Sequence, residues 1–492
     1  MAKTQQGRQE HGFSRLNSYY AVVLVLLALV SAVPLASNRP SWWLLWTALI
    51  SFLGVIYQLS AWRMIPGRPA RIRPLLGYFL LAAVVPAYAM LQAQNIAGLL
   101  PTWLISMRPG MEALAGRTIS VVPDASLIGA LRYLGYLILL ALVIEVSTRR
   151  ERVGMMSRIL FTGITLQAVW ALVALKLLGD VSLFGEKTAY LGMATGTFIN
   201  RNSLATFLGF GLVLGAVLIG RRFEGPETRT ARRRGLIEKL GTEGQLVLVA
   251  MLIILLALLA TQSRLGLAAS MIGLGVATLL LLWRQGRLSV RLLLGILLGL
   301  IFVGVVVALV GAGISDRALF SKVDSATRLN LYRQILGMIA QRPWTGFGLD
   351  GFGPAFEAFR APPLNDGVAF DLAHNSYLAL WSELGLVVGS ITPLLLLTAA
   401  VLLLRRLRQG ADFPSNAAGS IGVLVLGAVH SLGDFSLEIP ANNYVLLVIL
   451  GMGLARRTPP TQSSQTPATA AVVAGANAGT ATPLPKPKDD PA

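Results

Sequence analysis

The chain has 492 residues, 54% of them hydrophobic and 13% charged, with a mean hydropathy of +0.66. It contains no cysteine, which excludes disulfides, thiol catalysis and thiolate metal sites. A net charge of +19 suggests nucleic acid as a partner for a soluble protein, but apolar runs of about 18 to 25 residues are long enough to cross a bilayer as helices. We therefore predict an all-α, polytopic integral membrane protein that contacts membrane lipids and no nucleic acid.

Twelve apolar runs follow one another, and the connections between them alternate in charge. The predicted spans are residues 20–35, 42–59, 75–91, 127–146, 159–178, 204–219, 245–259, 265–283, 292–310, 377–404, 421–435 and 444–454. Arginine-rich stretches follow every second span, at residues 63–73, 149–158, 221–239, 284–291, 405–408 and 456–457. By the positive-inside rule these stretches face the cytoplasm, and an even number of spans places both termini there as well.

This topology divides the chain into five segments. They are a cytoplasmic N-terminus (1–19), nine transmembrane helices (20–312), one large external loop (313–374), three further transmembrane helices (375–457) and a cytoplasmic tail (458–492). The tail consists mostly of Thr, Ala, Pro and Gly with few bulky apolar residues, so we expect it to be disordered.

The external loop has a helical pattern of its own. Ser325 is predicted to cap a helix that runs to Ala340, and Pro343 follows its end. Apolar residues recur within it at helical spacing, at Leu329, Tyr332, Ile335, Leu336 and Ile339. The pattern predicts an amphipathic helix on the outer surface of the membrane.

The best candidate for acid-base chemistry is His374, one of three histidines, where the external loop meets the tenth span. At about 100° per residue Tyr377 shares its helical face, and Asn375 is the adjacent residue. Asp371 is the better-placed carboxylate partner if the helix starts early, because Glu383 points to the opposite side. The pattern fits a general base and an interfacial residue at a helix start equally well.

Arginines on the same predicted side suggest an anion site. Arg132 lies inside the fourth span, where a charge is costly and usually functional. Arg201 precedes the sixth span, where helix amides also attract anions, and Arg264 occupies a short turn before the eighth. The set suits a lipid-linked diphosphate, because arginine binds phosphate oxygens bidentately and keeps its charge. Snorkelling or a structural ion pair is the alternative for each, and Arg328 and Arg333 on the external helix are weaker candidates.

Two further patterns need interpretation. Residues 346–351, Gly-Phe-Gly-Leu-Asp-Gly, formally match a dinucleotide fingerprint, but no βαβ unit surrounds them, and we interpret the glycines as turns beside Pro343. His430 and Asp434, four residues apart near the end of the eleventh span, form either a catalytic pair or, more simply, a brace for the helix end. No metal-ligand spacing is recognisable, so we expect neither a metal nor another cofactor.

Five short motifs together resemble the bacterial O-antigen ligase and polymerase superfamily. They are Gly-Thr-Phe-Ile-Asn-Arg-Asn-Ser-Leu-Ala (196–205), Gln-Ser-Arg-Leu-Gly (262–266), Arg-Pro-Trp-Thr-Gly-Phe-Gly (342–348), His-Asn-Ser-Tyr-Leu followed by Ser-Glu-Leu-Gly-Leu (374–386), and His-Ser-Leu-Gly-Asp-Phe (430–435). The motifs stand in the expected order, whereas the first five spans match only in general hydropathy. One position departs from the family pattern, because Ser203 stands where Asn-Arg-Asn-His has its histidine.

The resemblance implies a GT-C-like glycosyltransferase of the bacterial inner membrane with its active site at the periplasmic face. It implies an undecaprenyl-diphosphate-linked glycan as donor and lipid A core as acceptor, the reaction of an O-antigen ligase, without a metal ion. On matching positions, His374 deprotonates the acceptor hydroxyl, and Arg201 and Arg264 hold the diphosphate. Arg132 joins them by topology alone. Direct attack on the donor predicts inversion at the anomeric carbon.

Other functions remain open at this point. Polymerisation of repeat units onto a growing glycan and transfer of glycan to protein use the same donor in the same superfamily, so the catalytic residues do not separate them. A lipid-linked glycan flippase belongs to a different class, in which charges and broken helices gather near the membrane midplane. The polar motifs here gather at one predicted face instead, which favours the transferase.

Overall fold

The structure, a computed structural model, describes residues 2–105, 116–224, 236–286, 289, 315–364, 369–410 and 412–457. The regular elements in these ranges are helices, apart from one antiparallel bridge between Ser182 and Gly185, and the all-α fold class is confirmed. The ninth predicted span, residues 292–310, and the tail, residues 458–492, lie outside the described residues.

The helices follow one another with mostly short connections. Their bounds are α1 (Ala2–Val30), α2 (Pro40–Met64), α3 (Leu76–Gln92), α4 (Pro123–Val146), α5 (Arg150–Lys176), α6 (Arg201–Arg222), α7 (Leu236–Ala260), α8 (Arg264–Arg284), α9 (Ser315–Gln341), α10 (Phe352–Glu357), α11 (Ser376–Gly389), α12 (Ile391–Gln409), α13 (Pro414–His430) and α14 (Pro440–Leu454). Single helical turns at Leu35–Ser37, Arg73–Leu75, Ala97–Leu99 and Thr102–Ile105 lie in the connections.

Helices α1 to α8 correspond to the first eight predicted spans. By length and composition these eight can cross a membrane, and the number rises to nine if the bent pair α11 and α12 is counted as one span. Helix α14 is apolar but has only 15 residues. The polytopic character of the chain is confirmed, whereas the predicted number of twelve spans is not.

Ion pairs join helix ends on one side of the bundle, which we call the basic end. Arg68 pairs with Glu145 in the last turn of α4 at 3.0 Å, and Arg150 at the start of α5 pairs with Glu224, just after α6, at 2.5 Å. The first three arginine-rich stretches therefore meet at one end, as their alternation along the sequence predicts. We call the opposite end, where α6, α8 and α11 begin, the site end.

The centre of the bundle is α6, in which every residue from 203 to 215 is buried. Helices α8 and α13 pass each other closely at Gly273 and Gly422. A Cβ atom on either glycine would come within 2.6 Å of the carbonyl oxygen of the other. Small residues at such crossings allow membrane helices to approach, because packing rather than apolar burial drives helix association in lipid.

The tenth predicted span is not one straight helix. It consists of α11 and α12, whose axes are bent by 70°. Within α11, Gly385 has a φ of 72°, in the left-handed region that glycine adopts without a steric cost. The apolar sequence on both sides of Gly385 reads as one span, because hydropathy does not report a change of direction.

Residues 342–351, which we call the glycine segment, pass beside this break. The amide of Leu386 donates to the carbonyl of Pro343 at 2.7 Å, and the amide of Phe347 donates to the carbonyl of Ser382 at 2.9 Å. A Cβ atom on Gly346 would lie 2.3 Å from a carbonyl oxygen of α11. The glycines of this segment therefore permit a close backbone approach, which extends their interpretation as turns.

Helix α9 differs from the prediction at its start and on its faces. It begins at Ser315, so Ser325 lies inside it rather than at its cap. Ile335 and Ile339 are buried against phenylalanines of the glycine segment and α10, but Leu329 and Leu336 are more than half exposed. The repeat of apolar residues correctly predicted a helix, but the buried stripe is narrower than the apolar one.

Candidate active site

The connection between α13 and α14, residues 431–438, receives contacts from several elements of the site end. The hydrogen bonds that reach it include Ser376 N to Ser431 O at 3.1 Å, Asn375 Nδ2 to Leu432 O at 3.0 Å, Arg328 Nη1 to Gly433 O at 3.1 Å and Asn202 Nδ2 to Asp434 Oδ1 at 2.9 Å. This connection therefore links the starts of α6 and α11 with helix α9.

His374 immediately precedes the cap of α11 and faces the 431–438 connection. Its half-buried ring packs edge-on against Phe435, with ring centroids 5.0 Å apart. Its backbone has a φ of 51°, which is uncommon for a residue with a Cβ atom. The hydroxyl of Tyr332, on α9, donates to the carbonyl oxygen of His374 at 2.8 Å. Strained backbone held by its surroundings is common at functional sites.

Asn375 and Tyr377 fix the start of α11. The side chain of Asn375 caps the helix by accepting hydrogen bonds from the amides of Tyr377 and Leu378 at 3.0 and 3.1 Å. The hydroxyl of Tyr377 donates to a carbonyl of α13 at 2.9 Å. Because the helix begins only at Ser376, Asp371 does not share a helical face with His374, and it lies exposed on the preceding loop.

Arg201 is the first residue of α6, where the helix amides also favour an anion. Asn200 caps this helix by accepting from the amide of Asn202 at 2.7 Å. The guanidinium of Arg201 lies over the ring of Tyr190 at 5.6 Å, and its Nη1 donates to the sulfur of Met193 at 2.8 Å. The loop before α6 thus holds this arginine at the helix N-terminus.

Arg264 is the first residue of α8 and is exposed. The next residue, Leu265, contacts the 431–438 connection, since a Cβ atom on Gly433 would lie 2.8 Å from its side chain. A Cβ atom on Gly266 would lie 2.6 Å from the Cβ atom of Ala205 on α6. The starts of α6 and α8 are therefore neighbours on the same connection that contacts His374.

His430 and Asp434 each bond to α6. The Nδ1 atom of His430 shares a hydrogen bond with the hydroxyl of Thr206, and Asp434 accepts from Asn202 and from Ser436. These contacts agree with the interpretation of the two residues as a brace for the helix end. Of the two arginines on α9, Arg328 reaches Gly433, as described above, whereas Arg333 is exposed.

Arg132 occupies different surroundings. It lies nine residues into α4, about 13 Å from the helix start. Its guanidinium pairs with Asp350 of the glycine segment at 2.7 Å and lies 4.2 Å from the ring centroid of Trp43. A diphosphate that binds Arg132 must therefore compete with, or displace, the carboxylate of Asp350.

A cavity of about 160 Å³ opens beside this ion pair. Its polar wall includes Arg132, Asp350, Ser376, Glu383 and Glu438, and leucines of α4, α12 and α14 complete it. Sequence reasoning did not single out Asp350 or Glu438, because each is an isolated carboxylate without a motif. Within the described residues, no three His, Asp or Glu side chains are grouped closely enough to hold a metal ion.

Glu438 lines this cavity from the 431–438 connection, outside the helices. The hydroxyl of Ser376 donates to it at 2.8 Å. Burial raises the pKa of Glu438 to about 7; the negative charges of Asp350 and Asp434 act in the same direction, while the Ser376 hydrogen bond and Arg132 oppose the shift. This carboxyl therefore holds or releases a proton near neutral pH, between the start of α11 and the Arg132–Asp350 pair.

Residues 249–393 match the O-antigen ligase family model. This region is therefore similar to the O-antigen ligase family. No curated protein sequence matches the chain. The match confirms the resemblance to the O-antigen ligase and polymerase superfamily, and the family indicates a glycosyltransferase-type or ligase-type enzyme.

The O-antigen ligase match covers part of the candidate site. Arg264, Arg328, Asp350 and His374 lie inside it. Arg132, Arg201 and the whole 431–438 connection lie outside it, and their place in the site rests on the contacts described above. Together with apolar helices that can cross a membrane, the family assignment indicates a membrane enzyme of O-antigen ligase or polymerase type.

Proposed function

We propose that the chain is an inverting, metal-independent glycosyltransferase of O-antigen ligase type. It moves glycan from undecaprenyl diphosphate onto lipid A core in lipopolysaccharide biosynthesis. The observation that carries the proposal is the convergence at the 431–438 connection. The ring of His374 packs against Phe435 of that connection. The starts of α6 and α8 contact it through Asn202 and Leu265, which are the residues next to Arg201 and Arg264. His374 and Arg264 fall inside the O-antigen ligase match.

The chemistry follows from these side chains. His374 takes the proton of the acceptor hydroxyl, whose oxygen attacks the anomeric carbon of the donor sugar. The bond from that carbon to the diphosphate oxygen breaks, and undecaprenyl diphosphate leaves with the bonding electrons. Arg201 and Arg264 stabilise the charge that develops on the leaving group, with Arg132 as a third, deeper arginine. Attack from the face opposite the leaving group inverts the anomeric centre.

The proposed location follows from the charge of the loops. We place the basic end at the cytoplasmic face of the bacterial inner membrane and the site end at the periplasmic face, with both termini in the cytoplasm. Residues 313–374 then form the periplasmic loop. The excess of basic over acidic residues in the stretches after the second, fourth and sixth spans supports this orientation.

The direct test is reconstitution of the purified protein in liposomes with an undecaprenyl-diphosphate oligosaccharide and lipid A core, with both lipids followed by mass. His374→Asn is the informative variant, because asparagine tolerates the left-handed backbone at this position but is a poor base. His11→Asn, at an exposed histidine on α1, is the matched control. We expect His374→Asn to lower the transfer rate about 10²- to 10⁴-fold, and we expect the control to leave the rate unchanged.

The lipid that gains mass decides between the related functions. Glycan on lipid A core supports the ligase. Glycan that lengthens on the undecaprenyl carrier, with lipid A core unchanged, identifies a polymerase that uses the same site. Equal rates for wild type and His374→Asn would remove His374 as the base, and retained configuration of the product linkage by NMR would contradict direct attack.

A further inference from the structure

The loop between α5 and α6 exposes more apolar surface than a loop in water would. Within residues 180–193, which we call the 180–193 loop, four large apolar side chains are at least 40% exposed: Val181 (40%), Leu183 (47%), Phe184 (52%) and Leu191 (65%). A group of such residues on one short segment usually marks an interaction surface.

The base of this loop is polar and firmly bonded. Lys187 pairs with Asp180 at 2.5 Å and donates to the carbonyl of Met193 at the same distance. Asp180 also accepts from the amide of Gly192 at 2.7 Å. The side chain of Lys187 is only 6% exposed, so the loop closes over the ion pair. The bridge between Ser182 and Gly185 then turns the tip outward.

The loop follows directly after a predicted membrane span. The predicted span 159–178 of α5 has the length of the hydrocarbon core, about 30 Å at 1.5 Å per residue. Leu166 on α5 is 64% exposed, and Leu177, directly after the helix, is 76% exposed, so both continue the apolar surface towards the loop. The loop therefore begins where the hydrocarbon core ends.

From these observations we infer that the apolar tip of the 180–193 loop inserts into the lipid surface of the membrane at the site end. A polar, bonded base and an apolar tip are the parts of a segment that lies in the boundary between headgroups and acyl chains. The insertion itself does not depend on the proposed function, because it concerns contact with bilayer lipids alone.

The loop also contacts Arg201 through Tyr190 and Met193. Insertion of the tip therefore sets the height of this arginine relative to the lipid surface, where a lipid-linked diphosphate also lies. This second step rests on the proposed function. A loop that slides out of the lipid would leave Arg201 poorly placed for the donor while leaving His374 in position.

The absence of cysteine from the chain makes the insertion directly measurable. Phe184→Cys carries an environment-sensitive fluorophore in proteoliposomes that contain lipids spin-labelled near the headgroup or deep in the acyl chain. Leu166→Cys, on the exposed side of α5, is the lipid reference, and Glu357→Cys, exposed on α10, is the water reference. We expect blue-shifted emission at position 184 and stronger quenching by the headgroup-proximal label than by the deep one.

Two results would overturn insertion. Emission at position 184 that matches position 357 would place the tip in water. Blue-shifted emission without quenching by either lipid would place it against protein, such as a second copy of the chain.

The effect of loop insertion on Arg201 is tested separately, through the KM for the lipid-linked donor. Replacing Leu183 and Phe184 together by serine should raise the KM for the lipid-linked donor several-fold with little change in kcat. An unchanged KM, beside fluorescence that shows insertion, would reject the link and retain the insertion. Failure of the proposed function would instead appear as loss of activity in the wild-type protein.

Discussion

The hydroxyl of Tyr332 donates a hydrogen bond of 2.8 Å to the carbonyl oxygen of His374, which joins helix α9 to the candidate base. This bond holds His374 at a positive φ of 51°. Tyr332→Phe removes the bond and keeps the ring, so we expect kcat to fall about 2- to 10-fold, the value of one hydrogen bond, with little change in the donor KM. Steady-state kinetics in proteoliposomes measure both constants.

Tyr19→Phe is the control for this substitution, because Tyr19 is 71% exposed on α1. If Tyr332 has only a structural role, Tyr332→Phe should lower the thermal denaturation midpoint by the same amount at every pH. Tyr332 as a positioning residue also changes the pH dependence of kcat, and identical pH profiles for wild type and Tyr332→Phe would contradict the prediction.

Arg264→Lys should be badly impaired while remaining folded and inserted. Arginine presents a planar fork of donors to two phosphate oxygens, and lysine offers a single point charge. We expect the rate of glycan transfer to fall by at least about tenfold, which corresponds to roughly 1.4 kcal/mol of lost transition-state stabilisation. Arg284→Lys, at the opposite end of the same helix and also exposed, should retain wild-type turnover. Equal turnover in the two variants would count against binding of the donor diphosphate by Arg264.

Variants of the Arg132–Asp350 pair test its effect on stability and its role in function separately. Asp350 has a φ of 57°, so Asp350→Asn keeps a residue that tolerates the left-handed conformation. It leaves the buried Arg132 without its counter-charge. We expect a loss of stability that approaches the roughly 3 to 5 kcal/mol of fully buried pairs, reduced because Asp350 is 20% exposed. Thermal denaturation in detergent measures it.

Combining Asp350→Asn with Arg132→Met should restore much of this stability, because neither charge is then left unpaired. We expect the double variant to be folded and nearly inactive, as the diphosphate role of Arg132 requires. Wild-type turnover in the stable double variant would show that the pair is structural.

Glu438 gives the protein a pH-dependent stability. Its pKa of about 7 in the folded protein lies above the ordinary value near 4.3, so the folded state keeps a proton that the unfolded state has released between these values. The denaturation midpoint should therefore fall as the pH rises from about 4.3 to 7, and Glu438→Gln should flatten this part of the curve. Parallel curves for wild type and variant would contradict the assignment.

Two glycine substitutions test the break in the tenth predicted span. In Gly346→Ala the new Cβ atom would lie 2.3 Å from the carbonyl oxygen of Glu383, so the glycine segment must move and we expect strong destabilisation. Gly337→Ala is the matched control, because nothing lies within 4 Å of its Cβ position and alanine favours a helix interior by about 0.5 to 1 kcal/mol. Thermal midpoints that move in the same direction would argue against the packing described for Gly346.

The sequence predicted the membrane helices well, and the reason is physical. In lipid each backbone polar group must be bonded within its own segment, so an apolar run of sufficient length is a helix whatever its neighbours are. The first eight helices followed from this. The basic stretches share one end because they follow every second helix. The non-helical backbone at Gly385 was not predicted, because the glycine segment that bonds to it lies about 40 residues earlier in the chain.

The residues proposed for the site from the sequence share one local feature. His374, Arg201 and Arg264 stand at helix starts, where local motifs mark them. Asp350 and Glu438 have no local signal, because each acquires its role only from a partner distant in sequence: Arg132 and Ser376. The pairing of Tyr332 with a backbone carbonyl also leaves no trace in a motif.

The sequence by itself therefore determined the all-α membrane architecture, the grouping of its basic loops and the family of residues 249–393, since these depend on composition and on contiguous patterns. The tertiary structure alone decided that Arg132 is held by Asp350, that α11 breaks, and that the 431–438 connection joins His374 to the starts of α6 and α8. Packing between helices fixes these relationships, and helical periodicity gives the face of each side chain but not the neighbour that the face meets.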